Sequence, residues 1–209
     1  MPAKKPSTPT LLPEPIFTIG HSTRSHAEFL ALLQHHGVQC VVDVRKLTGS
    51  RRYPHFNADA LTSALADDGI DYVHIAALGG RRGRTLAKGE PSPNGFWSND
   101  SFRRYADYAL ASGDFDEGLH ALLALSAAQR CAVMCAEAVW WRCHRRIIAD
   151  YLLLHDRVVQ HILSASRTEV AQLTPGAELW SADAPPAAPV LPVPHPNQHR
   201  WVYPAQAPA

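Results

Sequence analysis

Short apolar runs alternate with segments of helical periodicity from Ile16 to Leu163, and this alternation limits the possible folds more than any other feature of the chain. Residues 16–19, 38–44, 70–75, 131–134 and 158–163 read as strands: each is short, apolar and bounded by glycine or polar residues. Between them lie helices. Ser25 followed by Glu28 forms a capping box ahead of Phe29, Leu30, Leu32 and Leu33, and Gly37 ends that segment. Residues 59–67, 101–110, 115–125 and 143–154 carry the same periodicity. Parallel strands need crossovers of about a dozen residues or more, usually helical. The pattern therefore predicts an α/β three-layer sandwich with a mostly parallel sheet of about five strands.

The 209 residues suit one domain, expected over residues 15–183. Residues 1–14 are rich in Pro, Lys, Ser and Thr, and residues 184–209 hold Pro185, Pro186, Pro189, Pro192, Pro194, Pro196, Pro204 and Pro208. Such composition favours extended chain, so both ends are expected to be tails, with Trp201 and Tyr203 available for a short docking contact. No apolar run is long enough to span a bilayer, and Lys4 and Lys5 have no apolar stretch behind them, so the expected location is cytoplasmic. The four cysteines, Cys40, Cys131, Cys135 and Cys143, are then expected as thiols. Cys131 and Cys135 lie on one strand, roughly 13 Å apart at strand rise, beyond disulfide reach. Cys135 with Cys143 is the one pair able to bridge.

In open parallel sheets, ligands bind beyond the carboxyl ends of the strands. The first strand is followed by His21 and Ser22. The second leads to Asp43, Arg45, Ser50, Arg51 and Arg52, and the third to Gly79, Gly80, Arg81, Arg82 and Arg84. The fourth leads to Cys135, Glu137, Cys143, His144 and Arg145. Residues 78–99 form a long Gly-, Arg- and Pro-rich loop, of the length that functional loops have. With a formal net charge of +1, any affinity for polyanions must come from a local patch.

Thr18-Ile19-Gly20-His21-Ser22, Val42-Asp43-Val44-Arg45, Gly49-Ser50-Arg51-Arg52, Leu78-Gly79-Gly80, and Met134-Cys135-Ala136-Glu137 with Cys143-His144-Arg145 follow one another in order. These motifs resemble the family called domain of unknown function 488, over roughly residues 16–163. Lys46-Leu47-Thr48-Gly49 stands where that pattern commonly has a proline before its Ser-Arg element. The resemblance implies no established activity; some members carry labels pointing to DNA repair.

Arginine forks bind phosphate or carboxylate bidentately. The favoured expectation is an enzyme acting on a phosphate-bearing small molecule or nucleic acid. Ser22, Asp43, Arg45, Ser50, Arg51, Arg52, Arg81, His144 and Arg145 would form the binding set, and Glu137, His21, Cys135 and Cys143 the catalytic candidates. Glu137 is the candidate acid or base, and Cys143, near a helix start beside Arg142 and Arg145, is a candidate thiolate. The alternatives are a non-catalytic nucleotide or nucleic-acid binding module and, ranked below it, rhodanese-like sulfur chemistry on Cys135, for which no amide-rich nucleophile loop is evident. No metal and no cofactor are assigned: Cys135, Glu137, Cys143, His144 and His21 match no common zinc spacing, and Cys143 and His144, adjacent at a helix start, are expected to point apart. Of Trp140 and Trp141, one is expected to pack inward; the other, like Phe96 and Trp97, offers a stacking surface.

Overall fold

The computed structural model describes residues 14–180 and 199–205. Strands β1 (Ile16–Gly20), β2 (Cys40–Asp43), β3 (Asp71–His74), β4 (Cys131–Cys135) and β5 (Val159–Ser164) lie parallel in the order β3-β2-β4-β1-β5. A sixth strand, β6 (Arg167–Val170), folds back antiparallel on β5. The fold is an α/β three-layer sandwich around a mostly parallel sheet. The sixth strand carries no apolar run because it is an exposed edge. Its Arg167 and Glu169 charge that edge, which discourages pairing with another chain.

Side chains alternate across the pleat. Phe17, Ile19, Val41, Ala132 and Met134 pack with Phe29 and Leu33 of α1 (His26–His35) and Leu61 and Leu65 of α2 (Ala58–Ala66). Ile16, Cys40, Val42, Cys131, Val133 and Cys135 face the other layer. There they meet Tyr105 of α3 (Asp100–Ala111), Phe115 and Leu122 of α4 (Gly113–Ala128), and Ile147 and Ile148 of α5 (Arg145–Leu154). The capping box is formed: the Ser25 hydroxyl accepts from the Glu28 amide, and the Ser25 amide donates to the Glu28 carboxylate at 2.7 Å. Cys135 and Cys131 thus share the face that α5 covers, which sets Cys135 beside the start of that helix.

The long loop after β3 is mostly structural. Ser92 and Asn94 donate to Asp107 on α3 at 2.5 and 2.8 Å, and Trp97 is buried against Phe102 and Tyr203. Its expected base-stacking surface is therefore spent on the core.

Of the expected tails, residues 1–13, 184–198 and 206–209 lie outside the described residues. Residues 199–205 do not behave as their composition suggests. β8 (Arg200–Val202) pairs with β7 (Glu178–Trp180), Trp201 and Tyr203 join the main core, the Trp201 indole donates to the Asp150 carbonyl, and the Tyr203 hydroxyl donates to the Asp150 carboxylate. The aromatic pair outweighs the prolines around it, so the segment is part of the domain. Among the described residues, no helix is long and apolar enough to cross a membrane.

Candidate functional site

The carboxyl ends of β1, β2 and β4 open into a cleft of about 890 Å³. Beyond the sheet, β1 and β4 stay in register: the His21 amide donates to the Cys135 carbonyl at 2.9 Å and the Ser22 amide to the Ala136 carbonyl at 3.0 Å. Gly20 permits this approach, since a Cβ there would lie 1.8 Å from the Glu137 carbonyl oxygen. Ser22 and Arg81 both line the cleft, and both hold a left-handed backbone, at φ 53° and 56°. Non-glycine residues rarely adopt that conformation, and such strain gathers at functional sites.

One wall is held by a buried ion pair. Arg45 donates from Nε and Nη2 to both Asp43 carboxylate oxygens, at 2.6–3.0 Å, and from Nη2 to the Phe56 carbonyl. The Tyr72 hydroxyl donates to the same carboxylate at 2.7 Å. His21 stacks on Phe56 with ring centroids 4.2 Å apart. Its Nδ1 donates to the Ser22 carbonyl, leaving Nε2 as acceptor 3.4 Å from the Arg45 guanidinium. Burial first, then Arg45, lower its pKa to about 4, so His21 is a neutral ring at physiological pH.

The floor is made of thiols. The Cys135 and Cys143 sulfurs are 2.9 Å apart. Arg145, fully buried, donates from Nε to the Cys135 sulfur at 3.0 Å, from Nη1 to Thr18 and from Nη2 to the Glu137 carbonyl. His144 Nε2 donates to the Val44 carbonyl at 3.1 Å. In the neutral ring that fixes the tautomer and leaves the Nδ1 lone pair facing the Cys143 sulfur at 3.5 Å. Gly80 makes room for the ring: a Cβ there would meet Nδ1 at 2.9 Å. Burial opposes ionisation of Cys143, but the hydrogen bond from Cys135 and the nearby His144 and Arg145 outweigh it and hold this thiol well below its ordinary value. Cys135 is driven up, by burial and by the same shared proton.

A family model described as domain of unknown function DUF488 matches residues 25–152, more than half of the chain. The chain belongs to that family. No curated protein and no solved structure matches it. The DUF488 match spans the loops after β2, β3 and β4, so most of the cleft wall lies within it.

In this DUF488 chain the cleft brings together His21, Ser22, Arg45, Ser50, Arg52, Arg81, Cys135, Glu137, Cys143 and His144 of the expected set. Three expected binding residues sit elsewhere. Asp43 is buried under Arg45, Arg145 is enclosed beneath Cys135, and Arg51 points to solvent off the wall. Arg82 caps the carbonyls of Ala76, Ala77 and Gly79 and lies over the Tyr108 ring, and Arg84 donates to the Glu90 carbonyl. Cys143 and His144 do not point apart: the turn Trp140–Arg142 leaves Cys143 extended before α5, which swings the imidazole back over the sulfur. Trp140 packs inward, stacked on His161, and Trp141 is exposed.

Sequence reasoning missed two wall cations, Lys46 and Arg142. Both adjoin recognised motifs, and that adjacency was the available signal. Lys46, Arg52, Arg81 and Arg142 have no carboxylate in ion-pair range among the described residues, and Glu137 is the one acid on the wall. Among the described residues one backbone amide, that of Glu137, reaches the Cys135 sulfur, which is not an amide cradle. Among the described residues, no group of three or more His, Cys, Asp or Glu side chains is placed to hold a metal ion.

Proposed function

We propose that this protein is an enzyme acting on a phosphate-bearing substrate, a nucleotide or nucleic acid, with Cys143 as nucleophile. One observation carries the reading: four cations with no carboxylate partner among the described residues line the same cleft as a thiol whose neighbouring imidazole presents its lone pair. Guanidinium forks that outnumber the acids around them are suited to phosphate oxygens. Lys46, Arg52, Arg81 and Arg142 hold the phosphate, and His21 and Ser22 position it. His144 Nδ1 takes the Cys143 proton, in the arrangement of nucleophile, base and orienting group. The sulfur attacks phosphorus, and the leaving oxygen departs with a proton delivered by His144 or Glu137. Water then cleaves the sulfur–phosphorus bond and restores the thiol.

Two measurements test this. Nucleoside triphosphates and short oligonucleotides should raise the melting temperature of the wild type, because a ligand of the folded state stabilises it by mass action. The paired substitution Arg52→Ala with Arg81→Ala should weaken binding about tenfold or more per guanidinium, and flatten the salt dependence of oligonucleotide binding by about one to two units. Cys143→Ser should bind as before but fail to hydrolyse chromogenic phosphate mono- and diesters. Binding with no turnover by the wild type would reassign the cleft to a non-catalytic module. Absence of any phosphate-dependent shift would remove the reading altogether.

A further inference from the structure

Two thiols meet in the lining of the cleft, and no bond to the second is made or broken in the proposed hydrolysis. Cys135 ends β4, where pairing to β1 fixes its backbone. Cys143 closes the turn before α5, eight residues later. Their sulfurs lie 2.9 Å apart, and a disulfide needs about 2.05 Å, so bonding asks for a movement of under about 1 Å. Both line the cleft, which gives a small oxidant a path to them. The His144 ring 3.5 Å from Cys143 and the nearby Arg145 guanidinium favour the Cys143 thiolate that such chemistry needs.

We propose that Cys135 and Cys143 form a peroxide-responsive dithiol that closes to a reversible disulfide. The Cys143 thiolate attacks one oxygen of a hydroperoxide. A sulfur–oxygen bond forms, the oxygen–oxygen bond breaks, and the leaving alkoxide takes up the proton Cys143 released, giving an alcohol, or water from hydrogen peroxide. Cys135 then attacks the sulfenic sulfur. The sulfur–sulfur bond forms, the sulfur–oxygen bond breaks, and hydroxide leaves with the Cys135 proton as water. Two electrons pass from the sulfurs to the peroxide. A thiol donor reopens the bond by exchange. The inference stands on the thiol geometry; only its consequence, that the disulfide silences the cleft, rests on the proposed role of Cys143.

The molecule contains its own control. Cys40 and Cys131 are buried neighbours on adjacent strands but line no part of the cleft. The full chain, treated with a small excess of hydrogen peroxide, quenched with an alkylating agent and denatured, should fall from four free thiols to two. One linked peptide pair should join Cys135 to Cys143, and dithiothreitol should restore the count. Cys135→Ser should halt at a Cys143 sulfenic acid, trapped by dimedone. The proposal fails if the wild-type count stays at four, if the lost thiols map to Cys40 and Cys131, or if Cys143 runs on to sulfinic acid while Cys135 stays free. The wild-type map decides even if the variant does not fold. A dithiol that closes in a protein with no affinity for phosphate would sink the proposed function and leave this inference standing.

Discussion

The two ends of the parallel sheet are built from the same ingredients and use them differently. At the amino edge, Cys40 pairs with Cys131, and a hollow of about 520 Å³ is lined by Glu14, Gly37, Gln39, Arg130 and Arg157. There each arginine is spent. Arg130 donates to the Glu14 carboxylate and the His36 carbonyl, and its amide to the Gln39 side chain; Arg157 donates to the carbonyls of Ser126 and Glu14. At the carboxyl edge, Arg45 and Arg145 within the cleft's inner layer, and Arg82 and Arg84 beside it, are spent in this way. The outer cations face the cleft without a carboxylate partner among the described residues. Thiols and arginines in a hollow do not make a site. Donors left over after the fold has been satisfied do.

The two edges differ most in their ion pairs. Arg45→Ala strands the fully buried Asp43 carboxylate with the Tyr72 hydroxyl and the Arg45 backbone amide as its remaining donors. Removing one partner of a buried pair costs about 3–5 kcal/mol. The amino-edge pair is half exposed, and Glu14→Gln should cost under about 1 kcal/mol. Urea denaturation of the two variants checks this; equal losses would mean that the two edges are held alike.

The glycines carry the next contrast. Gly20→Ala drives a Cβ into the Glu137 carbonyl, which is backbone and cannot turn aside, so the β1–β4 edge must shift. A loss of about 3 kcal/mol is expected, together with loss of phosphate binding. Gly37 has φ 61° and follows the end of α1, and a Cβ there would meet the end of the Arg130 side chain. That side chain can move, so Gly37→Ala should cost about 1–2 kcal/mol, for the left-handed backbone alone. Calorimetry that ranks the two variants in the opposite order would show the Gly20 approach to be less close than described.

The architecture was legible in the sequence because it rests on periodicity. Buried strands announce themselves as apolar runs, and the Ser25–Glu28 box marks a helix start whatever lies around it. β6 was not legible, since an exposed edge strand has no apolar run. β8 was hidden by prolines around it, although Trp201 and Tyr203 were the only large aromatics in that segment. Of the site, sequence order placed the right loops on one edge. It could not tell spent arginines from free ones, because Asp43 claims Arg45 through a side-chain contact and Arg51 differs from Arg52 only in direction. The Cys143–His144 pairing was misread for a related reason: helical geometry was assumed for a residue that is still extended.

Acid should lower stability through two buried histidines. His21 and His161 both titrate near 4 in the folded protein, lowered by burial and then by Arg45 and Arg145 respectively. Unfolded, they bind protons below about 6.5. The unfolded state therefore holds more protons between pH 6.5 and 4, and stability falls as pH falls through that window. Asp150 opposes this: burial raises it to about 6, so its contribution is full below its unfolded value and lost as pH rises through 6. Two histidines against one carboxyl leave a net fall on acidification. His36, at the amino edge, is shifted the same way but is half exposed and adds little. Urea midpoints at pH 7, 5.5 and 4.5 should decrease in that order, and His21→Gln should flatten the trend. Midpoints that rise on acidification would place Asp150 above both histidines in weight.

The smallest expected effect on stability bears most directly on function. Lys46, Arg52, Arg81 and Arg142 share one cleft with no carboxylate in ion-pair range among the described residues, and like charges so gathered repel. Folding must bring them together, and no ion pair among the described residues offsets that. Arg52→Ala with Arg81→Ala should therefore leave stability unchanged or raise it by a few tenths of a kcal/mol, within the usual range of surface substitutions, about 0.5 kcal/mol either way. At the amino edge, Arg130→Ala should lower it slightly, because that guanidinium has partners to lose. Salt sharpens the test: raising ionic strength should erase the gain from the first pair by screening the repulsion it relieves. A cleft that grows no less stable when its cations are removed, yet no longer holds phosphate, is one kept for a ligand at the expense of the fold. If the double variant is instead destabilised by more than about 1 kcal/mol, those arginines have structural partners and the contrast between the two edges disappears.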